Sequence, residues 1–433
     1  MTGHLDARTT RRNIGFSTVN QFFVEAAMTI SQPSMVLTLF IKALGGSNFM
    51  AGLLPSLRFA GWLAPQFFAA GMMQRLHRFL PVVKVTEFVR SSLYIIIAGF
   101  TLAFGLDRPQ LVLAVFFVLF MVTRLAAGTS AVARAEIIAR MVPPHERATL
   151  LSYRSLAGGI AGFLAGFGVR YVLDERTAGF PYNYALLIGL SGIGFAIAAA
   201  LLSAVIEPQT DIEPRKIDVK EQLARAPALL RADREYRIYV ALSAASAGNA
   251  VATPFYIIYA TEVLGAPAAM VGIYIAMGTL ARVLSNMFWG AQCRRRGNLW
   301  VLRVGSILGI VPPTLVAIVS GLVPAPQAGA ISAVAAWLFG LVFLMQGFAG
   351  AADGISRLSY LYDMAPEDER PTYYGLANTI LGPLYFLPAI GGILLDMAGY
   401  ALIFGVSSVF MWLALYLSMQ LGQQGHRRQR AVT

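Results

Sequence analysis

Apolar runs of more than 20 residues recur along this 433-residue chain, near 16–41, 48–73, 82–105, 111–133, 150–173, 183–205, 237–261, 267–293, 299–323, 328–352, 372–396 and 400–421. A helix needs ~20 mostly apolar residues to cross ~30 Å of hydrocarbon, where only helices and closed barrels satisfy every backbone N–H and C=O. These runs are too long and too continuous for the ~10-residue alternating strands of a barrel, so they predict twelve membrane-spanning helices. Composition agrees: 13% of residues are charged and 57% apolar, whereas soluble domains carry roughly 25% charged residues. The first run follows a basic start (Arg8, Arg11, Arg12) with no small-residue cleavage site after it, which reads as a retained span rather than a signal peptide.

A net charge of +12 raises the question of nucleic acid, and the placement of the charges answers it. With the N-terminus in the cytoplasm, 27 of the 34 Lys and Arg fall in cytoplasmic tails, loops or adjoining helix ends. Lys42, Arg108, Arg170 and Arg176 fall on the other side. This is the positive-inside bias, and it predicts a multi-pass protein of the bacterial inner membrane with both termini cytoplasmic and no nucleic-acid partner. One cysteine, Cys293, excludes an internal disulfide and a cysteine-only metal site. No cofactor is expected.

The chain also contains its own copy. MVPPHERAT at 141–149 returns as MAPEDERPT at 364–372, with Met, Pro, Glu, Arg and Thr repeated at an offset of 223. Arg134 and Arg357, and Gly168 and Gly391, keep the same offset, while LGGSNFMAG at 44–52 answers LGAPAAMVG at 264–272 at an offset of 220. The most polar stretch, IEPQTDIEPRKIDVKEQLARAPALLRADREYR, lies between the sixth and seventh runs. The expected organisation is therefore an N-terminal six-helix bundle at 1–205, a cytoplasmic linker at 206–236 and a C-terminal six-helix bundle at 237–433. The two bundles are parallel repeats, since both begin on the cytoplasmic side.

Twelve spans in two halves, a long central loop and a repeated arginine-bearing loop together resemble the major facilitator superfamily of secondary transporters. The resemblance implies an all-α integral membrane protein that moves a small molecule by alternating access and works as a monomer in the lipid bilayer. The family's loop signature between spans two and three has Gly, then Asp four residues later, Arg at five and Gly at seven. GAQCRRRGNL at 290–299 keeps Gly290, Arg295 and Gly297 but has Arg294 in place of the acid; in the first half Arg75 stands there. Arg75, Arg147, Arg294 and Arg370 are assigned to gating or to the cytoplasmic loops. LGPLYFLPAIGG at 381–392 resembles the glycine-proline signature of antiport members, displaced to the symmetric partner helix, and reads as a bend.

Charges deep in a span are costly and mark pathways. At ~1.5 Å per residue, Arg58, Arg124 and Arg282 fall near mid-membrane in spans two, four and eight, with Glu25 at comparable depth in span one. Glu87, Glu136 and Asp353 lie closer to the cytoplasmic face, where Arg90 and Arg134 can neutralise the first two. Two readings of the arginines compete. In one they bond carbonyls or pair with Glu25. In the other they receive an anion, because guanidinium is always charged and forks onto carboxylate or phosphate. Arg58 and Arg282 come from symmetric spans, as in anion-carrying members of the superfamily. TISQPSM and NAVATPF each place a proline among polar side chains near mid-span, making Gln32 and Asn249 further candidate substrate ligands. RLAAG at 124–128 resembles a proton-antiporter signature, and in that reading Arg124 tunes Glu25 as the proton carrier. Gly158, Gly162 and Gly166 read as helix-packing positions.

A membrane-embedded enzyme is the rival class, but His4, His77, His145 and His426 all sit in tails or loops, and no GxxxxGK loop is present. The sequence therefore predicts a non-enzymatic secondary transporter of a small organic anion, coupled to protons. A proton-coupled exporter of drugs or amphiphiles is the alternative.

Overall fold

The computed structural model describes residues 6–73, 76, 78–207, 229–322 and 333–422, and among these every regular element is helical. Contacts divide the chain into two units: Met1–Lys216 with Pro267–Ala276, and Ile217–Ala266 with Met277–Thr433. The division falls within the polar linker, and the short outer start of the eighth run groups with the first unit.

The first unit holds α1 (Ala7–Ile30), α2 (Val36–Ala43), α3 (Asn48–Met73), α4 (Leu80–Phe104), α5 (Pro109–Arg140), α6 (Arg147–Val172) and α7 (Tyr182–Ser203). Asp6 caps α1 by accepting from the Thr9 N–H at 2.9 Å. α1 packs on α6 and α7, α4 on α5 and α7, and α3 on α5. The second unit holds α8 (Arg234–Gly248), α9 (Phe255–Ile258), the greater part of α10 (Met270–Arg296), α11 (Asn298–Leu322), α12 (Ala333–Met364), α13 (Arg370–Leu381) and α14 (Leu387–Gln420). There α11 packs on α12 and α14, and α14 on α8.

The outward surface inverts the rule for soluble proteins. Phe88, Val118, Leu164, Met287 and Trp412 are all more than half exposed, as expected for side chains whose solvent is lipid. Eight segments are long and apolar enough to cross a membrane. The expected runs at 16–41, 48–73 and 237–261 are helical too, but more polar or interrupted. The interruptions fall where proline removes a donor and clashes with the preceding turn. α1 stops at Ile30 and α2 begins at Val36, with Pro33 in the gap; α8 stops at Gly248, followed by a 3-10 turn at Asn249–Ala252, Pro254, α9 and a π turn at Tyr259–Val263.

The last of the eight segments, Thr372–Gln420, is 49 residues long and covers two expected runs. It is not one rod. Within α14, Gly399 has φ 76° and ψ −177°, a region essentially restricted to glycine. Gly391 packs against Val251, and the Ser407 hydroxyl donates to Asn249 Oδ1 at 2.7 Å. Residues eight positions either side of Gly399 thus touch the same 3-10 turn, so the helix doubles back at that glycine.

The internal repeat is reproduced in the backbone. Each arginine-bearing loop has an extended proline (Pro143, Pro366), a 3-10 turn (Pro144–Glu146, Glu367–Glu369) closed by Glu146 N–H to Pro143 O or Glu369 N–H to Pro366 O at 3.0 Å, and a helix beginning at the arginine. At the other repeated corner Gly45 and Gly265 hold φ 75° and 72°, the left-handed conformation that ends a helix without a side-chain penalty.

Not every repeated glycine has kept its use. A Cβ on Gly391 would sit 2.1 Å from the Val251 carbonyl oxygen, whereas one on Gly168 meets nothing within 4 Å. Gly391→Val is expected to lower stability by about 1–3 kcal/mol through overpacking. Gly168→Val is expected to leave the thermal unfolding midpoint nearly unchanged, and equal midpoints in the two variants would contradict this account.

Candidate functional site

The first unit carries a buried polar core that its helices assemble from residues far apart in sequence. α4 supplies Glu87, which is almost wholly buried; such a charge is tolerated only when paired and hydrogen-bonded. Its Oε1 accepts from Arg134 Nη2 at 2.5 Å and from Ser130 Oγ at 2.8 Å, both on α5, and its Oε2 from Arg90 Nη1 at 3.5 Å. The Arg90 guanidinium lies 3.4 Å from the Phe195 ring centroid. Sequence reading shared Arg90 and Arg134 between Glu87 and Glu136; here both serve Glu87, and Glu136 takes Arg140 at 3.0 Å instead.

One turn or more further along α5 sits Arg124, also buried. Its Nη2 donates to the Tyr94 hydroxyl at 3.0 Å, its Nε to Thr123 Oγ1 at 3.3 Å, and its guanidinium lies 5.0 Å from the Phe120 centroid. α3 reaches this arginine through Gly61, where a Cβ would stand 2.6 Å from Arg124 Cβ. Arg58, half-buried on the same helix, is close enough for its charge to act on both Arg124 and Tyr94, and Tyr94 lies beside Ser31 at the break after α1. The hydrogen-bond and ring partners of Arg124 among the described residues are all neutral, and its nearest acid, Glu87, acts on it only through space. Gln32 lies in that break as well, its carbonyl accepting from the Leu37 N–H at 3.1 Å.

Glu25 belongs to a different cluster. Gln21 Nε2 donates to its Oε1 at 3.0 Å, and the Gln21 Oε1 accepts from Arg154 Nη2. Arg154 Nη1 is held by the Ser17 hydroxyl at 2.6 Å and the Ser17 carbonyl at 3.0 Å. Gly158 makes room for the acid: a Cβ there would meet Glu25 Cγ at 2.8 Å. The amide of Gln21 thus bridges a guanidinium on α6 to a carboxylate on α1. Arg58, Arg90, Arg124, Arg134 and Arg154 form one electrostatically connected set with two carboxylates, Glu25 and Glu87.

In the second unit Arg357 forks onto Asp353 and also donates to Ser243 Oγ and Ser246 Oγ, each at 2.8 Å. Like its repeat partner Arg134, it is spent on a carboxylate. Arg282 on α10 is exposed. Leu280, Leu284, Met287 and Phe288 form an exposed apolar stripe on that helix, and Arg282 sits about 160° around the axis from Leu284 at 100° per residue. It therefore points away from the lipid-facing side. Asn249 opens the 3-10 turn and accepts from Ser407. Arg75 lies outside the described residues. Arg147 and Arg294 are exposed. Arg370 donates from Nε to the Tyr362 carbonyl at 3.1 Å and approaches Glu367 at 3.7 Å, rather than engaging its sequence neighbour Glu369.

Residues 238–430 match the Major Facilitator Superfamily. Uncharacterized proteins of Mycobacterium tuberculosis and Mycobacterium bovis are 24% identical over 273 residues, or 62% of this chain, which spans half the length of those relatives. Among solved structures, a mutant of the nucleoside transporter NupG superposes with a TM-score of 0.70 at 11% identity, covering 96% of this chain and 100% of that one. A POT family transporter in complex with 5-aminolevulinic acid gives 0.69 at 13% identity over 94% and 95% of the two chains. A bacterial homologue of the iron transporter ferroportin gives 0.61 at 15% over 95% and 98%. Residues 238–430 are thus similar to the Major Facilitator Superfamily, and the chain over nearly its whole length has the fold of solved membrane transporters.

Proposed function

We propose that the protein is a proton-coupled secondary transporter of a small organic anion, working as a monomer in the bacterial inner membrane with both termini cytoplasmic. The observation that carries the reading is Arg124: a buried guanidinium whose described hydrogen-bond and ring partners are all neutral. A buried charge with no carboxylate bonded to it is disfavoured, and a negatively charged guest would accept the donors fixed in this geometry. Arg58 adds charge from α3, and Arg282, turned from lipid on α10, is a further candidate substrate ligand in the second unit. Gln32 and Asn249, at the two helix breaks, are candidate polar ligands for the rest of the solute. Alternating access then moves the anion from one membrane face to the other.

Proton coupling is assigned to Glu25. Its connection through Gln21 runs to Arg154, so Arg154 is the arginine whose charge is released when Glu25 takes a proton. Arg124 remains available to substrate throughout.

The test is ligand-dependent thermal stabilisation of the purified protein across dicarboxylates, phosphate esters, sugars and lipophilic cations, repeated on Arg124→Gln, Arg58→Gln and Arg282→Gln. An anion should stabilise the native protein and lose most of that effect in Arg124→Gln. Uptake of the same anion into vesicles should lose its dependence on a pH gradient in Glu25→Gln. Stabilisation by lipophilic cations alone, undiminished by the substitutions, would reject the anion reading in favour of an exporter.

A further inference from the structure

The inner end of α10 carries Arg294, Arg295 and Arg296 in consecutive positions, all exposed. Gly297, at φ 86°, stops the helix directly after them, and α11 starts at Asn298. The arginines are therefore presented at a tight corner rather than on a long loop. The Arg296 guanidinium lies 4.5 Å from the Trp300 ring centroid. None of the three forms an ion pair with a carboxylate among the described residues. The neighbouring acid Asp363, on α12, accepts from Asn298 Nδ2 at 2.6 Å. Arg303, one turn into α11, is committed elsewhere: its Nε and Nη2 donate to the carbonyls of Ser418 and Leu421 at 3.1 and 2.9 Å.

This corner lies at a membrane edge, on the side that the charge asymmetry assigns to the cytoplasm. Tryptophan favours that depth because its ring is apolar and its N–H polar. Arginine forks onto phosphate oxygens, and the cytoplasmic leaflet is rich in anionic headgroups. We propose that Arg294, Arg295 and Arg296, with Trp300 as the interfacial anchor, form a binding site for the headgroup of an anionic phospholipid.

A competing role is purely structural. Three cations in the last turn of α10 also complement the negative end of its dipole, but that effect does not depend on which lipid is present. The experiment is a titration of phosphatidylglycerol, and separately of phosphatidylcholine, onto the full chain in detergent, with bound lipid counted by native mass spectrometry. Each basic residue near an anionic surface contributes about a fivefold gain in affinity. The triple variant Arg294→Gln, Arg295→Gln, Arg296→Gln should therefore bind phosphatidylglycerol roughly 100-fold more weakly, with phosphatidylcholine binding unchanged. The corresponding triple lysine variant keeps the charge and should retain most of the affinity, and Trp300→Leu should weaken binding without abolishing the preference for the anionic lipid. Equal binding of the two lipids by the native protein would overturn the site. So would a triple glutamine variant that loses both lipids alike, or full competition by inorganic phosphate, which would mark a site for the free ion.

Discussion

Arg124→Met is expected to abolish anion recognition and, in the absence of any anion, to make the protein more stable. The two effects have one cause. The native guanidinium is buried against the Tyr94 hydroxyl, Thr123 and the Phe120 ring, none of which carries a counter-charge. Replacing buried ionic groups by apolar side chains of similar volume commonly stabilises a protein by about 1–4 kcal/mol. Tyr94 keeps Ser31 as a polar neighbour after the exchange. Removing one member of a desolvated, hydrogen-bonded charge pair costs about 2–5 kcal/mol of affinity, a loss of at least roughly 30-fold. Paired thermal unfolding curves, with and without the stabilising anion, read both effects. A variant that melts lower in both conditions would identify Arg124 as a structural cation and remove the observation on which the anion assignment rests.

Glu87→Gln is expected to show the opposite pattern, a loss of about 3–5 kcal/mol whatever ligand is present. The amide still fills the space and still bonds Ser130, but Arg134 and Arg90 lose the counter-charge that both share. Breaking a buried pair by removing one partner leaves the other charge uncompensated, and here two are left. Glu136→Gln is the control, since Glu136 is half-exposed and pairs with Arg140 at i,i+4. Its loss should stay below about 1 kcal/mol. The double variant Glu87→Leu with Arg134→Met should recover part of the deficit. Equal melting of Glu87→Gln and Glu136→Gln would mean that Arg90 and Arg134 are neutralised by something else.

Much of this architecture is written in sequence at the level of periods and repeats. Apolar run length specifies spans because the bilayer has a fixed thickness, and the prolines of TISQPSM and NAVATPF specify breaks because a missing N–H cannot be supplied by lipid. The offset of 223 residues extends to the starts of paired 3-10 turns and helices. Side-chain partnerships are less legible, because depth along a span says nothing about direction around it. Arg154 shows this well. It follows a charged loop and so counts with the membrane edge, yet it turns inward on α6 to reach Ser17 and Gln21 on α1. The Glu136–Arg140 pair, by contrast, stands at the i,i+4 spacing that favours such bridges on any helix. That spacing alone was enough to release Arg134 for Glu87. Arg124 and Glu25, at similar depth, belong to separate clusters because α1 faces α6 and α7 while α5 faces α3 and α4.

The reversal at Gly399 has a topological meaning. Whether a chain ends on the side of the membrane where a given helix began depends only on the parity of its crossings, and parity is changed by a single turn made or missed. Here one glycine dihedral, not a loop, makes that turn. A residue that carried the helix straight on would point the last leg of α14 away from the turn at Asn249–Ala252 that Ser407 now touches. The direction of the last described helical leg is thus set by one backbone angle some twenty residues before its end.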